Sequence, residues 1–249
     1  MSEPEVPDDL ARLWRLSAGT RLGRPAALDV KRVVEVAVEL ADRDGLAGAT
    51  LPKIAAALAV TPMSLYRHIG SKDELMVLMG DDAVGLPPES LGVLGEWRTS
   101  LRQWARANLA VHRRHPWLIQ LPISGPPRGP NALGWMDMGL RALRDTTLGW
   151  SAKIGVITLV GGYVRQAFIT GYQLEQARRA AALDEVQALR NYSRDLSDLV
   201  DPQRFPDVAE LFASGLFTAP EVADTTDEDF SFGLEIILDG VAATISGNQ

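Results

Sequence analysis

The chain has 249 residues, 46% hydrophobic and 23% charged, the composition of an ordinary folded globular protein. It contains no cysteine, which excludes disulfides, thiol catalysis and cysteine-ligated zinc. The net charge of −7 argues against a general polyanion binder but permits DNA binding through a local basic patch. The acidic N-terminal sequence is unlike a signal peptide, and no uninterrupted apolar run approaches the roughly 18 residues of a membrane span. We therefore expect a cytoplasmic protein with no membrane partner.

The first 27 residues are predicted to form an arm ahead of the folded chain. Residues 1–20 lack helical periodicity, and most of this stretch is expected to be a mobile tail. The basic sequence from Arg21 to Arg24 follows and ends at a proline.

Residues 29–43 are predicted to form the first patterned helix, because its apolar residues recur at i, i+3, i+4 and i+7. Asp29 is the expected N-cap and Gly45 the expected stop. A second helix is expected to begin after Thr50, with Leu51 and Ile54 on its apolar stripe.

A short third helix is predicted over residues 62–69. Thr61 can cap it, and Pro62 is tolerated at the first helical position because its missing N–H would be unpaired there anyway. Leu65 and Ile69 share one face, which leaves a face of Met63, Ser64, Tyr66 and Arg67 pointing outward. This outward face is unusual for a solvated helix and suited to a nucleic-acid groove.

A fourth helix is predicted to open with a capping box of Ser71 and Glu74. Two helices joined by a three- to four-residue turn, the second short and polar-faced, describe a helix-turn-helix. Residues 50–72 also contain no Asp or Glu, as a surface facing phosphate requires.

These residues resemble the DNA-binding domain of TetR-type transcriptional regulators. The most specific part is Leu65-Tyr-Arg-His-Ile-Gly-Ser-Lys-Asp-Glu-Leu75, within a match that covers residues 28–84. Residues 229–240 more weakly resemble the last helix of the tetracycline-repressor-like C-terminal domain. The resemblance implies a helix-turn-helix domain over 28–84 and a helical effector-binding and dimerisation domain over 85–249.

By analogy with this family, the helix over residues 62–69 enters the major groove and its N-terminal neighbours contact the backbone. The implied DNA-binding residues are Thr50, Lys53, Thr61, Pro62, Met63, Ser64, Tyr66, Arg67, His68 and Lys72. Arg67 could grip a guanine or a phosphate, and Tyr66 could pack partly on the neighbouring helix. His68 is turned towards the apolar side, and the Arg21/Arg24 arm could follow the DNA backbone or a minor groove.

The larger half of the chain shows no period-two alternation, so the predicted class is all-α. Helices are predicted over residues 94–114, 131–148, 151–182, 183–200, 204–214 and 227–246. Aromatic residues concentrated in this half are either helix core or the lining of an effector cavity. The candidate effector residues are Trp104, Asn108, Trp117, Trp135, Met138, Arg165, Gln166, Phe168 and Tyr172.

No cofactor, metal site or catalytic constellation is expected. His112 and His115 are spaced i, i+3 but lack an acid or cysteine nearby to complete a metal site. Arg98, Arg102 and Arg106 form a ridge. It is either solvated, or paired with acids such as Asp227, Glu228 and Asp229, or a contact for an anionic effector or a second DNA segment.

The resemblance implies a homodimer built from a four-helix bundle. The predicted interface is the apolar stripe of the last helix: Phe230, Leu234, Ile237, Leu238, Val241 and Ile245. Two-fold symmetry would require a palindromic operator, and a small-molecule effector would release a repressor from it. The alternatives are an activator of the same fold, a helical small-molecule-binding protein without DNA binding, and an enzyme.

Overall fold

A computed structural model describes residues 6–16, 29–92, 95–123, 125–218 and 226–247 of the chain. Within these ranges there are eleven α-helices and no strand, and the predicted all-α class is confirmed. The helices are α1 (Asp8–Leu13), α2 (Val30–Asp44), α3 (Leu51–Ala57), α4 (Pro62–Ile69), α5 (Lys72–Val84), α6 (Trp97–Arg114), α7 (Pro130–Ala142), α8 (Trp150–Ala180), α9 (Glu185–Ser197), α10 (Pro206–Ala213) and α11 (Thr226–Gly247). Short 3₁₀ helices lie at Leu46–Gly48, Glu89–Gly92 and Pro116–Gln120.

The caps predicted for α2 and α4 are present. The carboxylate of Asp29 accepts the backbone N–H of Arg32 at 2.8 Å. The hydroxyl of Thr61 accepts the N–H of Ser64 at 3.3 Å, and α4 has the predicted bounds. Local cap chemistry therefore determines where these helices begin.

The capping box predicted for α5 forms only in part. The Ser71 hydroxyl accepts the N–H of Glu74 at 3.0 Å, as expected. The Glu74 carboxylate instead binds the Arg12 guanidinium, 62 positions away. The capping box is incomplete because a charged partner from another helix binds a carboxylate more strongly than a neutral backbone N–H does.

The prediction that most of residues 1–20 form a mobile tail does not hold over α1. Residues 8–13 are helical, and Leu13 is buried. A helix of six residues is too short for periodicity to detect and too short to be stable alone, so its tertiary contacts hold it. The Arg21/Arg24 arm lies outside the described residues.

The helix-turn-helix core is centred on α2. Its buried side chains pack with those of α3, α4 and α5, as in Val33, Ile54, Leu65 and Leu75. Trp117 and Leu118, from the 3₁₀ helix at Pro116–Gln120, belong to the same hydrophobic cluster. Residues from beyond the predicted domain boundary at 84/85 therefore complete this core.

By internal contacts the chain divides into two compact units, Met1–Arg165 with Val241–Gln249 and Gln166–Gly240. In the second unit, α9 packs on α10 through three aromatic rings. The ring centroids of Tyr192, Phe212 and Phe217 lie 5.2 to 5.5 Å apart.

Two helices, α8 and residues 227–247 of α11, are long and apolar enough to cross a bilayer on length and composition alone. Counting uninterrupted apolar runs did not predict this. Glycines and polar residues divide the runs, but the mean hydropathy of an 18-residue window stays high enough for a membrane span. Both helices expose large apolar side chains, notably Trp150 and Leu159 on α8 and Phe232 and Ile236 on α11.

Candidate nucleic-acid interface and effector region

Helix α4 presents one face to the core and the opposite face to solvent. Leu65 and Ile69 are completely buried, whereas Met63 is 70% exposed and Tyr66 42% exposed. Arg67 is also exposed. Burying Leu65 and Ile69 fixes the rotation of the helix, so the outward face predicted from the sequence is the face that the fold leaves open.

The turn between α3 and α4 depends on a residue that the sequence did not single out. Ala59 has φ of +54°, a left-handed conformation that costs an L-residue about 1–2 kcal/mol. The N–H groups of Ala59 and Val60 bond back to the carbonyls of Ala56 and Ala55 at 3.1 and 2.9 Å. This closure ends α3 and sets the direction in which α4 leaves.

The remaining residues that are predicted to contact DNA lie beside this exposed face of α4 or at the starts of α3, α4 and α5. Thr50, Lys53, Thr61, Pro62 and Lys72 are exposed, while Ser64 and His68 are half-buried. Thr61 and Ser64 are engaged with one another, their hydroxyl oxygens 3.0 Å apart. The surface that the fold leaves around α4 is basic and carries hydroxyl groups.

The turn between α4 and α5 is covered by the Arg12–Glu74 ion pair. Gly70 has φ of +67°, and a Cβ there would lie 2.2 Å from Glu74 Oε2 and 2.9 Å from Arg12 Nη2. The positive φ favours glycine at this position, and a Cβ there would also push the Glu74 carboxylate and the Arg12 guanidinium from their present places.

Helix α5 is joined to α7 by hydrogen bonds at its C-terminal half. Asp81 accepts the N–H groups of Asn131 and Ala132 at 3.3 and 2.9 Å, at the start of α7. The Trp135 indole donates to the carbonyl of Gly85 at 2.9 Å. Burial raises the pKa of Asp81, and its two backbone hydrogen bonds oppose that rise.

A second junction links α2 to the 3₁₀ helix at Pro116–Gln120. Asp42 Oδ1 lies 2.7 Å from His115 Nδ1 and accepts the Trp117 indole N–H at 2.6 Å. Arg165 of α8 donates to the carbonyl of Ile119 at 2.7 Å. Hydrogen bonds therefore join the segment of residues 115–119 to α8 through Arg165 and to α2 through Asp42.

Trp117, predicted to line an effector cavity, lies in the helix-turn-helix core instead. Only 2% of its surface is exposed, and its indole N–H is bonded to Asp42. This burial fits the alternative of helix core that the sequence left open, because the aromatic content of a segment does not reveal which neighbours will cover it. A role of Trp117 at an effector cavity stays a prediction.

The other candidate effector residues of the first unit are buried or half-buried. The Trp104 indole donates to the carbonyl of Trp135, and Asn108 donates to the carbonyl of Trp104, each at 2.9 Å. Trp104 and Trp135 are buried, and Met138 is half-buried. Their aromatic surfaces form the interior between α6 and α7, with their polar atoms already paired.

The last candidates follow Arg165 along α8. Phe168 is buried and stacks on Tyr172 with ring centroids 5.6 Å apart. Gln166 is exposed, and its amide donates to Thr170 at 3.2 Å.

His112 is a polar residue of this region that the sequence suggested only as a metal ligand. Burial and the neighbouring Arg165 guanidinium lower its pKa to about 4, so its imidazole is neutral at pH 7. Among the described residues no group of three or more His, Cys, Asp or Glu is placed to hold a metal ion. Only its environment in the fold reveals His112 as a buried, neutral imidazole beside a cation.

The dimer stripe predicted on α11 is largely core. Phe230, Leu234, Leu238 and Val241 are buried within this chain, and Ile237 and Ile245 are half-buried. Phe232 and Ile236 are 72% and 56% exposed on another face of the same helix. The sequence predicted an apolar face wide enough for core and partner together, and the four buried residues are the part that the chain itself covers. Contact of this stripe with a second subunit stays a prediction.

A small cavity of about 90 Å³ lies beside α1 and is lined by Trp14, Val34, Asp81 and Asn131, among others. Drug-sized ligands occupy about 300–1,000 Å³. This cavity is therefore too small for such an effector.

Comparison with known proteins gives two family matches. Residues 33–79 match the model for bacterial regulatory proteins of the tetR family, and residues 91–245 match that of the tetracyclin repressor-like C-terminal domain.

Curated and solved proteins agree with these matches. The HTH-type transcriptional repressor DrrR1 of Streptomyces coeruleorubidus is 34% identical over 251 residues, covering 98% of this chain and 90% of the relative. Apo ActR from Streptomyces coelicolor has a TM-score of 0.71 at 25% identity, covering 91% of this chain and all of that one. ActR in complex with (S)-DNPA has a TM-score of 0.67 at 26% identity, covering 88% and 99%.

Proposed function

The chain belongs to the TetR family of DNA-binding, ligand-responsive transcriptional regulators, and from this we propose that it is a cytoplasmic homodimeric repressor, released from a palindromic operator by a small molecule. The family consists of transcriptional regulators and not of enzymes. The observation that supports DNA reading most directly is the exposed Met63–Tyr66–Arg67 face of α4, opposite two completely buried residues.

In this proposal α4 enters the major groove. Met63, Tyr66 and Arg67 approach base edges, where an arginine can bind a guanine bidentately and apolar groups can contact a thymine methyl. Lys53 and Lys72, with the hydroxyls and N–H groups at the starts of α3, α4 and α5, contact phosphates and fix the register. The remaining proposed contributors are Thr50, Thr61, Pro62, Ser64 and His68.

We place the effector among the helices of the C-terminal domain, over the residues 91–245 that match the tetracyclin repressor-like C-terminal domain. ActR, a structural neighbour, has been solved in complex with (S)-DNPA. The proposed orienting groups are Arg165 and the neutral imidazole of His112, beside the apolar surfaces of Trp104, Trp135 and Met138. Asn108 completes the proposed set in the first unit. Gln166, Phe168 and Tyr172, which belong to the second unit, stay predictions from the sequence. A neutral imidazole next to a guanidinium favours a ligand with an anionic or carbonyl oxygen on an apolar body.

The hydrogen bonds around residues 115–119 provide a route from this region to the DNA-reading helices. A ligand that moves Arg165 would disturb its bond to Ile119, and through His115 and Trp117 the bonds to Asp42 on α2. Ligand and DNA must then weaken each other's binding by the same factor.

The proposed dimer surface uses the exposed apolar faces of α8 and α11, with Phe232 and Ile236 in place of the predicted buried stripe. A bilayer would be a poor environment for these helices. Glu235 and Asp239 lie in the middle of α11 and Arg165 in the middle of α8, and each would carry a desolvation penalty in lipid.

The experiment is a selection of duplexes from a random-sequence pool by the purified full-length chain, followed by titration with and without (S)-DNPA. The proposal expects a palindromic consensus bound by two subunits. It also expects (S)-DNPA, or a screened compound of its class, to weaken binding. Enrichment of no sequence would instead favour a helical small-molecule-binding protein without DNA binding. A reporter placed behind the selected site distinguishes repression from activation.

A further inference from the structure

We propose that helix α1, ahead of the helix-turn-helix, is a positioning element that holds recognition helix α4 in its DNA-reading orientation and ties it to the segment preceding α7. Nothing in the family matches covers α1, since the first match begins at residue 33. The inference rests on the proposed DNA-reading role of α4.

The first contact lies at the turn between α4 and α5. The Arg12 guanidinium makes two hydrogen bonds to the Glu74 carboxylate, the Nη2–Oε2 bond at 3.0 Å, directly over Gly70. Arg12 thereby places a positive charge at the C-terminus of α4, and Glu74 a negative charge at the N-terminus of α5. Both charges oppose the partial charges of the helix ends, so the pair stabilises this turn in its present geometry.

The second contact lies further along α5. Arg15 forms an ion pair with Asp82, eight residues after Glu74. At 1.5 Å per residue the two anchor points are about 12 Å apart along α5. Between them Leu13 is buried in the hydrophobic core that also contains Leu65 and Ile69. Arg12 lies in α1 and Arg15 two residues after its end. A segment that is fixed at these two points and packed between them at Leu13 resists bending of α5 relative to α4.

The third contact ties α1 to the chain just before α7. The Trp14 indole donates to the carbonyl of Arg128 at 2.9 Å, and Arg128 pairs with Asp9 at 2.9 Å. Helix α1 therefore bridges the DNA-reading turn and the 125–130 segment. This link is additional to the α5–α7 hydrogen bonds.

Arg12 acts through other residues in this arrangement and not by touching DNA. Its side chain is 27% exposed, and its guanidinium is committed to Glu74, whose own side chain is 14% exposed. Loss of a positioning residue lowers DNA affinity without changing the number of phosphate contacts. Loss of a phosphate contact instead lowers the slope of log affinity against log salt by about 0.9.

The test uses full-length chains and a duplex selected by the wild-type protein, with Arg12→Ala, Glu74→Gln, the double variant and Arg43→Ala. Arg43 pairs with the adjacent Asp44 at an exposed site on α2 and is the matched control. We expect Arg12→Ala and Glu74→Gln each to lose roughly 5- to 30-fold in affinity with an unchanged salt slope. The double variant should lose no more than either single variant, and Arg43→Ala should bind like wild type.

A second readout does not need DNA. Hydrogen exchange of the backbone amides of residues 65–72 should be faster in Arg12→Ala than in wild type, and unchanged in Arg43→Ala. Wild-type affinity in Arg12→Ala overturns the inference, as does unchanged exchange at these amides. A lower salt slope in Arg12→Ala with a silent Glu74→Gln also overturns it, because Arg12 would then contact phosphate. Failure of the wild-type chain to select any duplex refutes the proposed function instead, and leaves the exchange result as the test of the positioning role.

Discussion

Asp42 and Trp117, 75 positions apart in the chain, are joined by a hydrogen bond of 2.6 Å from the indole N–H to the carboxylate. Asp42 lies on α2 of the helix-turn-helix, and Trp117 lies in the 3₁₀ helix that follows α6. The same carboxylate oxygen lies 2.7 Å from His115 Nδ1. One side chain of the DNA-reading region thus holds two side chains of the region beyond it.

Asp42→Ala is therefore expected to destabilise the fold. The substitution leaves the buried Trp117 indole N–H without its acceptor, which costs about 1–3 kcal/mol. Urea denaturation followed by circular dichroism measures the loss. Asp44→Ala, on the same helix but in an exposed pair with Arg43, is the control and should change stability by less than about 1 kcal/mol. Equal losses in the two variants would show that the Asp42 junction contributes nothing specific.

Gly129→Ala is expected to disrupt the junction between α5 and α7. A Cβ at position 129 would lie 2.0 Å from Asp81 Oδ1, and Asp81 is held in place by the N–H of Ala132. Such overpacking costs about 1–3 kcal/mol, measurable as a lower urea midpoint. Gly149→Ala introduces a Cβ with no atom within 4 Å and should be close to neutral. A Gly129→Ala chain as stable as wild type would mean that the two helices separate without cost.

The lowered pKa of His112 predicts that the stability of the fold depends on pH. Its pKa is about 4 in the folded chain against an ordinary value of 6.5, so between these pH values the unfolded chain binds more protons. Its contribution to stability is complete above about pH 6.5 and is lost as the pH falls towards 4, by at most about 3 kcal/mol.

The measurement compares the unfolding free energies of wild type and His112→Gln from pH 4 to 8. Their difference should be constant above pH 7 and shift in favour of the variant as the pH falls. The contributions of other titrating groups, among them Asp81 with its raised pKa, are present in both chains and cancel to first order. A difference that does not vary with pH contradicts a buried neutral His112.

Phe232→Glu and Ile236→Glu are expected to convert the dimer to a monomer. The two residues are four apart on one exposed face of α11, where a charge would have to be buried in the proposed interface. Light scattering after size-exclusion chromatography gives the mass. Ile123→Glu, at a loop residue that is 78% exposed, should leave the mass unchanged.

Leu238→Ala distinguishes core from interface on the same helix. Leu238 is completely buried within one chain, so its truncation should cost about 2–5 kcal/mol of stability. If Leu238→Ala dissociates the dimer while Phe232→Glu does not, the predicted stripe is the interface after all.

Arg67→Ala and Lys72→Ala are expected to affect DNA binding in different ways. A base-reading Arg67 contributes about 1–3 kcal/mol, and its loss should relax specificity at one operator position. Loss of Lys72 should weaken all sequences alike and lower the salt slope by about one. Fluorescence anisotropy on consensus and single-mismatch duplexes, at two salt concentrations, separates these outcomes. A uniform loss in Arg67→Ala would assign it to phosphate.

Local sequence determined the DNA-reading element of this protein. Asp29, Thr61 and Ser71 set the starts of three helices through bonds to residues three positions away. The spacing of Leu65 and Ile69 determined which face of α4 points outward. These features depend on neighbours within about one turn of helix, and such neighbours are adjacent in the sequence.

Tertiary structure alone decided the features that depend on distant partners. Glu74 binds Arg12 instead of completing the capping box, and Trp117 packs in the core around α2. Four residues of the predicted dimer stripe are buried within the chain. The type of an apolar or charged residue indicates that its side chain needs a partner, but it does not indicate which residue that partner is. The partner is selected by the packing of whole helices, and a pattern read along one helix cannot contain that information.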